Sequence, residues 1–73
     1  MERIDIPLEK VTSTTIAGIG HSQPYSTMRI EFNTGKQYDY YDVSEEEYLS
    51  IKNDASIGSK LRAVVKDKEY KKL

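Results

Sequence analysis

The sequence predicts an α+β domain, a three-stranded antiparallel meander followed by two helices packed on one face of the sheet. Three observations lead there. Residues 26–32 alternate apolar and polar side chains around a short "NTG" turn. A helix-start pattern follows at Ser44. A second apolar stripe at helical spacing, Ile57, Leu61, Val64 and Val65, closes the chain. Strands first and helices last is the order of helices segregated to one sheet face.

The first strand is expected at residues 11–19, "VTSTTIAGI", rich in β-branched side chains, with a loop "GHSQPYS" after it. In the second, Met28, Ile30 and Phe32 face one way and Thr27, Arg29 and Glu31 the other. A type I turn at Asn33-Thr34, with Gly35 as a left-handed bulge, sets Phe32 opposite Lys36. That register places Ile30 opposite Tyr38, Met28 opposite Tyr40, Arg29 opposite Asp39 and Thr27 opposite Tyr41. Ser44 and Glu47 have capping-box spacing, with Val43 and Tyr48 as a hydrophobic staple. A second helix is expected to start at Ser56. The expected core is Met28, Ile30, Phe32, Tyr38, Tyr40, Leu49, Ile51, Leu61, Val64 and Val65.

With 73 residues the chain is read as a single domain, 1–73. At that size folding hides only about 60% of the unfolded surface, so a homo-oligomer is expected. There is no cysteine and one histidine, which removes disulfides and thiolate zinc sites; no metal and no cofactor are expected. No apolar run reaches the ~20 residues of a membrane span, and the charged N-terminus is unlike a signal peptide, so the expectation is a soluble, cytoplasmic protein without membrane partners. Net charge divides unevenly. Residues 1–59 hold five Lys/Arg against ten Asp/Glu, and residues 60–73 hold six against two. An anion-binding surface is therefore expected toward the C-terminal end.

Several residues admit two readings. Tyr38 and Tyr40 pack in the core or offer hydroxyls and rings to a ligand. Tyr41 points away from the apolar face and serves a partner subunit or a stacked base. In "SIGSK", Ser56 is a plain helix cap, or Ser56, Gly58, Ser59 and Lys60 form a phosphate site with Arg62 beyond. The tail "KDKEYKK" is a solvated helix end or a nucleic-acid arm. His21 is a surface residue or a ligand contact. The chain lacks a cysteine nucleophile, G-x-S-x-G and a phosphate-binding glycine loop, so it is read as non-enzymatic.

The order and spacing of "STTI", "MRIEFNTGKQYDYYDV" and "ASIG" resemble the KTSC domain family over about residues 11–70. Tyr38 and Tyr40 match its central Tyr-x-Tyr, and Ser56 and Gly58 its Ser-x-Gly. His21-Ser22 replaces a Tyr-Asp, Ser44 a Pro, and Leu61-Arg62 an aromatic-Asn pair. The family is found at the C-terminus of some lysyl-tRNA synthetases and as stand-alone bacterial and phage proteins; for a phage protein the location would be the host cytoplasm. The resemblance implies no enzymatic activity and suggests binding of a nucleotide or short RNA, including sequestration of a signalling cyclic nucleotide as in phage anti-defence proteins. The other expectation is a protein-interaction or assembly adaptor that uses an exposed sheet edge and the tyrosine face.

Overall fold

A computed structural model describes residues 6–73. Its elements are β1 (Glu9–Lys10), β2 (Ile16–Ser22), β3 (Thr27–Phe32), β4 (Gln37–Tyr40), α1 (Glu45–Lys52), α2 (Ile57–Val65) and β5 (Tyr70–Lys72). The strands form one antiparallel sheet in the order β1-β2-β3-β4-β5. Both expected helices and the central three-stranded meander are present. The expectation of three strands is corrected to five, with an edge strand added on each side.

Both edge strands are short, and neither carries a two-residue apolar alternation to read. The basic tail was expected as the end of a helix, but Tyr70, Lys71 and Lys72 pair with β4 instead. Lysine on a short edge strand is common because it discourages further pairing.

The hairpin register is the expected one: Met28 opposite Tyr40, Arg29 opposite Asp39, and Ile30 opposite Tyr38. Gly35 adopts φ +89°, the Gly35 N–H donates to the Phe32 carbonyl, and the Phe32 N–H to the Lys36 carbonyl, each at 2.9 Å. The expected facing of Thr27 and Tyr41 does not occur: the β3–β4 ladder ends at Met28 and Tyr40, the chain then turns through Asp42 at φ +59°, and the Val43 N–H donates to the Ser26 carbonyl at 2.8 Å.

The first expected strand is displaced. Residues 11–15 are irregular, and β2 runs on through Gly20, His21 and Ser22. The Ser13 hydroxyl accepts the N–H groups of Thr15 and Ile16 at 3.2 and 3.3 Å. A side-chain acceptor that captures backbone donors in this way competes with a ladder.

Between the sheet and the helices lie Ile16, Ile19, Met28, Ile30, Val43, Ile51, Ile57 and Leu61. Phe32, Tyr40, Tyr48, Val64 and Val65 are half-buried against them, and Tyr38 is half-buried at their margin. Leu49 departs from the expected core and is 40% exposed. On α1 the covered ridge runs through Tyr48 and Ile51, three residues apart, and Leu49 is rotated about 100° from Tyr48.

α1 begins with the expected capping box. The Glu47 N–H donates to the Ser44 hydroxyl at 3.2 Å, and the Ser44 N–H to the Glu47 carboxylate at 3.0 Å. Lys68 reinforces it by donating to the Asp42 carbonyl at 2.6 Å and to Glu47 at 3.2 Å. The backbone hydrogen bond from Ser44 holds the Glu47 carboxyl below its ordinary value, against some desolvation and with help from Lys68. A carboxylate with a lowered folded pKa contributes stability that is present above its unfolded pKa and lost as pH falls through the folded one. Ser44→Ala is expected to cost about 1 kcal/mol at neutral pH. Urea unfolding of the parent and Glu47→Gln at neutral and strongly acidic pH should show a smaller acid loss in the variant.

Candidate functional site

An open pocket of about 550 Å³ lies between the irregular segment before β2 and the start of α2. Thr12, Ser13, Thr14 and Thr15 form one wall, and Ala55 to Ser59 with Arg62 form the other. The threonine segment is held in place from two directions. Besides the Ser13 turn, the Asn33 N–H donates to the Thr15 carbonyl at 2.9 Å and the Asn33 amide to the Ser13 carbonyl at 3.4 Å.

Across the pocket, Ser56 precedes α2, but the expected side-chain cap does not form. Its N–H donates to the Asp54 carboxylate at 2.7 Å, and the residue lines the pocket with no capping duty for its hydroxyl. Gly58 brings α2 close to Thr15. A methyl group there would lie 3.6 Å from the Thr15 hydroxyl, an ordinary contact, and the backbone is not left-handed, so neither packing within the chain nor backbone conformation demands glycine at this position. Ser59 and Arg62, three positions apart, share the pocket side of the helix. Lys60 does not line the pocket; it lies roughly 200° around the helix axis from Gly58.

A second, shallower groove of about 380 Å³ adjoins the first, lined by Thr14, Thr15, Phe32, Asn33, Thr34, Lys36 and Tyr38. Thr14 and Thr15 belong to both. Tyr38 meets Phe32 edge-on at 5.5 Å and Tyr70 edge-on at 5.8 Å. Tyr40 lies 5.8 Å from Tyr70. Burial raises the Tyr40 pKa, and Tyr38 and Tyr70 add to the shift. Tyr38 is thus at the groove, whereas Tyr40 belongs with the core.

Two expected site residues lie elsewhere. Tyr41, read as pointing outward, is half-buried beside Asp42, Val64 and residues 67–69. His21 stacks on Tyr48 with ring centroids 5.1 Å apart, and its Nε2–H donates to the Val43 carbonyl at 2.7 Å. His21 therefore ties β2 to the start of α1, about 17 Å along the strand from Ile16 and the threonine segment. The structure brings together Ser56, Gly58, Ser59, Arg62 and, next door, Tyr38. Thr12–Thr15 were not among the expected site residues, although a run of small hydroxyl side chains before the core of a strand is itself a signal.

Among the described residues no cluster of three or more His, Asp or Glu could hold a metal ion, and no helix is long and apolar enough to cross a membrane.

The chain is similar in fold to the crystal structure of a KTSC domain protein from Yersinia pestis, with a TM-score of 0.86 over 94% of this chain and 99% of the other at 24% identity. No curated protein matches the sequence. The KTSC domain model matches residues 12–70, which takes in both walls of the pocket and the aromatic groove. By that match over most of its length, the chain belongs to the KTSC domain family.

Proposed function

We propose that this domain is a non-enzymatic module that binds a phosphate-bearing ligand, a nucleotide or short RNA, with phosphate between Thr12–Thr15 and α2 and the base against Tyr38. The observation that carries this reading is the shared wall. Thr14 and Thr15 separate a hydroxyl-lined pocket holding Arg62 from a groove lined by Phe32 and Tyr38. A nucleotide has the same two parts, an anion joined to a flat ring a few ångströms away. Arg62 can grip phosphate with two parallel hydrogen bonds, the hydroxyls can donate others, and an aromatic ring or phenol can orient a base. The pocket lining contains hydroxyls and a guanidinium but, among the described residues, no carboxylate, imidazole or amine to move a proton. That favours binding over catalysis. Sequestration of a signalling nucleotide is the role that fits such a module best.

Calorimetric titration with nucleoside phosphates and short single-stranded RNAs tests the assignment. Arg62→Ala should weaken binding by about 1.5–3 kcal/mol with little change in melting temperature, because Arg62 is exposed. Tyr38→Leu should lose about 1–3 kcal/mol if a base stacks on the ring. Lys60→Ala should bind as the parent does. Wild-type affinity in Arg62→Ala would reject this pocket.

Self-association is proposed alongside. Leu49 and Tyr25, away from β5, are 40% and 57% exposed on a domain with a small core. Sedimentation at micromolar concentration should give at least a dimer; a monomer throughout would remove this part of the proposal.

A further inference from the structure

We infer that the outer edge of β5 accepts an extended acidic peptide as an added strand. This site is separate from the nucleotide pocket and uses none of its residues. Among the described residues β5 ends the sheet, and it pairs with β4. The Tyr41 N–H donates to the Glu69 carbonyl and the Leu73 N–H to the Gln37 carbonyl, each at 2.9 Å. In an antiparallel ladder, bonded positions alternate. Lys71 therefore shares the inward phase of Glu69 and Leu73, while Tyr70 and Lys72 direct their N–H and C=O groups outward. All three residues of β5 are exposed.

The side chains on that edge select the occupant. Lys72 lies on the face of Tyr38, and Lys71 lies on the face of Asp39, so a strand laid alongside meets an ammonium on each face. Lys71 and Lys72 are both exposed, so their charge is available to a strand laid alongside. A second copy paired through the same edge would set lysine beside lysine, which is unfavourable. An acidic strand reverses that sign. Tyr70 and Leu73, 63% and 51% exposed, offer apolar cover to alternate side chains of the peptide. β1 is a poorer edge because it has two residues and its Glu9 is already paired with Lys52. Backbone donors and acceptors in strand spacing, flanked by positive charge, are what β-strand addition of an acidic segment requires.

The test uses the full chain, isotope-labelled, and a blocked extended peptide alternating Glu and Val. At saturation the Tyr70 and Lys72 amides should shift, and their exchange with solvent should slow by about tenfold or more. Lys71→Gln with Lys72→Glu should weaken the peptide by about tenfold or more without lowering the melting temperature. N-methylating alternate peptide residues, in the phase that faces β5, should abolish binding. Unchanged affinity in the double variant, or shifts centred on Thr12–Thr15, would overturn the inference. So would protection of Tyr70 and Lys72 that grows with protein concentration in the absence of peptide, since a second copy would then occupy the edge.

Discussion

Replacing Arg29 by Met is expected to destabilise the domain by about 3–5 kcal/mol, a large share of the roughly 4–11 kcal/mol that a domain of this length holds in total. Arg29 and Asp39 face each other across β3 and β4 on the side of the sheet away from the helices. Arg29 Nε and Nη2 donate to the two Asp39 carboxylate oxygens at 2.8 and 3.0 Å. Their side chains are only 14% and 6% exposed. The cost does not measure the attraction between the charges, which is largely offset by their desolvation. It comes from leaving the Asp39 carboxylate buried without those donors. Arg29→Met with Asp39→Leu should therefore recover at least half of the loss. Guanidinium unfolding of the two variants decides it: a single variant within about 1 kcal/mol of the parent would show that the pair is solvated and of little weight.

Gly20→Val should cost about 2–3 kcal/mol and lower the melting temperature by roughly 10–20 °C. Gly20 lies within β2, and on the face away from the helices the backbone of Pro7 and the side chain of Ile6 pass directly over it. A Cβ at Gly20 would collide with the Pro7 carbonyl oxygen and sit 2.9 Å from Ile6 Cγ2. Either β2 bends or the segment lifts away and exposes Ile6, which is 4% exposed. Because the nearest obstacle is backbone, trimming Ile6 to Ala should not rescue the variant. A thermal melt that does not move would mean that the N-terminal segment is not held over the sheet.

These two sites show what was legible in the sequence. The Arg29–Asp39 pairing followed from the turn, because a tight hairpin fixes its own register within a few residues. The Ser44–Glu47 cap was readable for the same local reason. Gly20 reads as the start of a loop because its neighbour, Ile6–Pro7, lies far back in the chain. The His21–Val43 hydrogen bond, spanning 22 residues, had no local signature either. β5 was hidden twice over: its partner β4 lies beyond two helices, and its lysines resemble a helix end that complements the dipole.

The candidate site was half legible. Gly58, Ser59 and Arg62 share one side of α2, a placement that helical periodicity supplies, and the same periodicity could have separated Lys60 from Gly58; Ser56 precedes the helix and joins them at the pocket wall. Thr12–Thr15 was concealed by composition. Its β-branched residues suggest a strand, and the Ser13 hydroxyl that diverts the backbone is a single side chain among four similar ones. Tyr38 and Tyr40 were correctly placed on the apolar face, but only the position of the threonine wall shows which of them borders an accessible groove.

Native mass spectrometry of the parent and Arg62→Ala, purified side by side and then mixed with nucleoside phosphates and short RNAs, tests the binding assignment most directly. The expected result is additional mass equal to a nucleotide or short oligonucleotide on the parent, lost or sharply reduced on Arg62→Ala. A parent that stays bare with every nucleotide and RNA offered, or a variant that holds the same ligand equally well, would contradict the assignment of the threonine-walled pocket as the site.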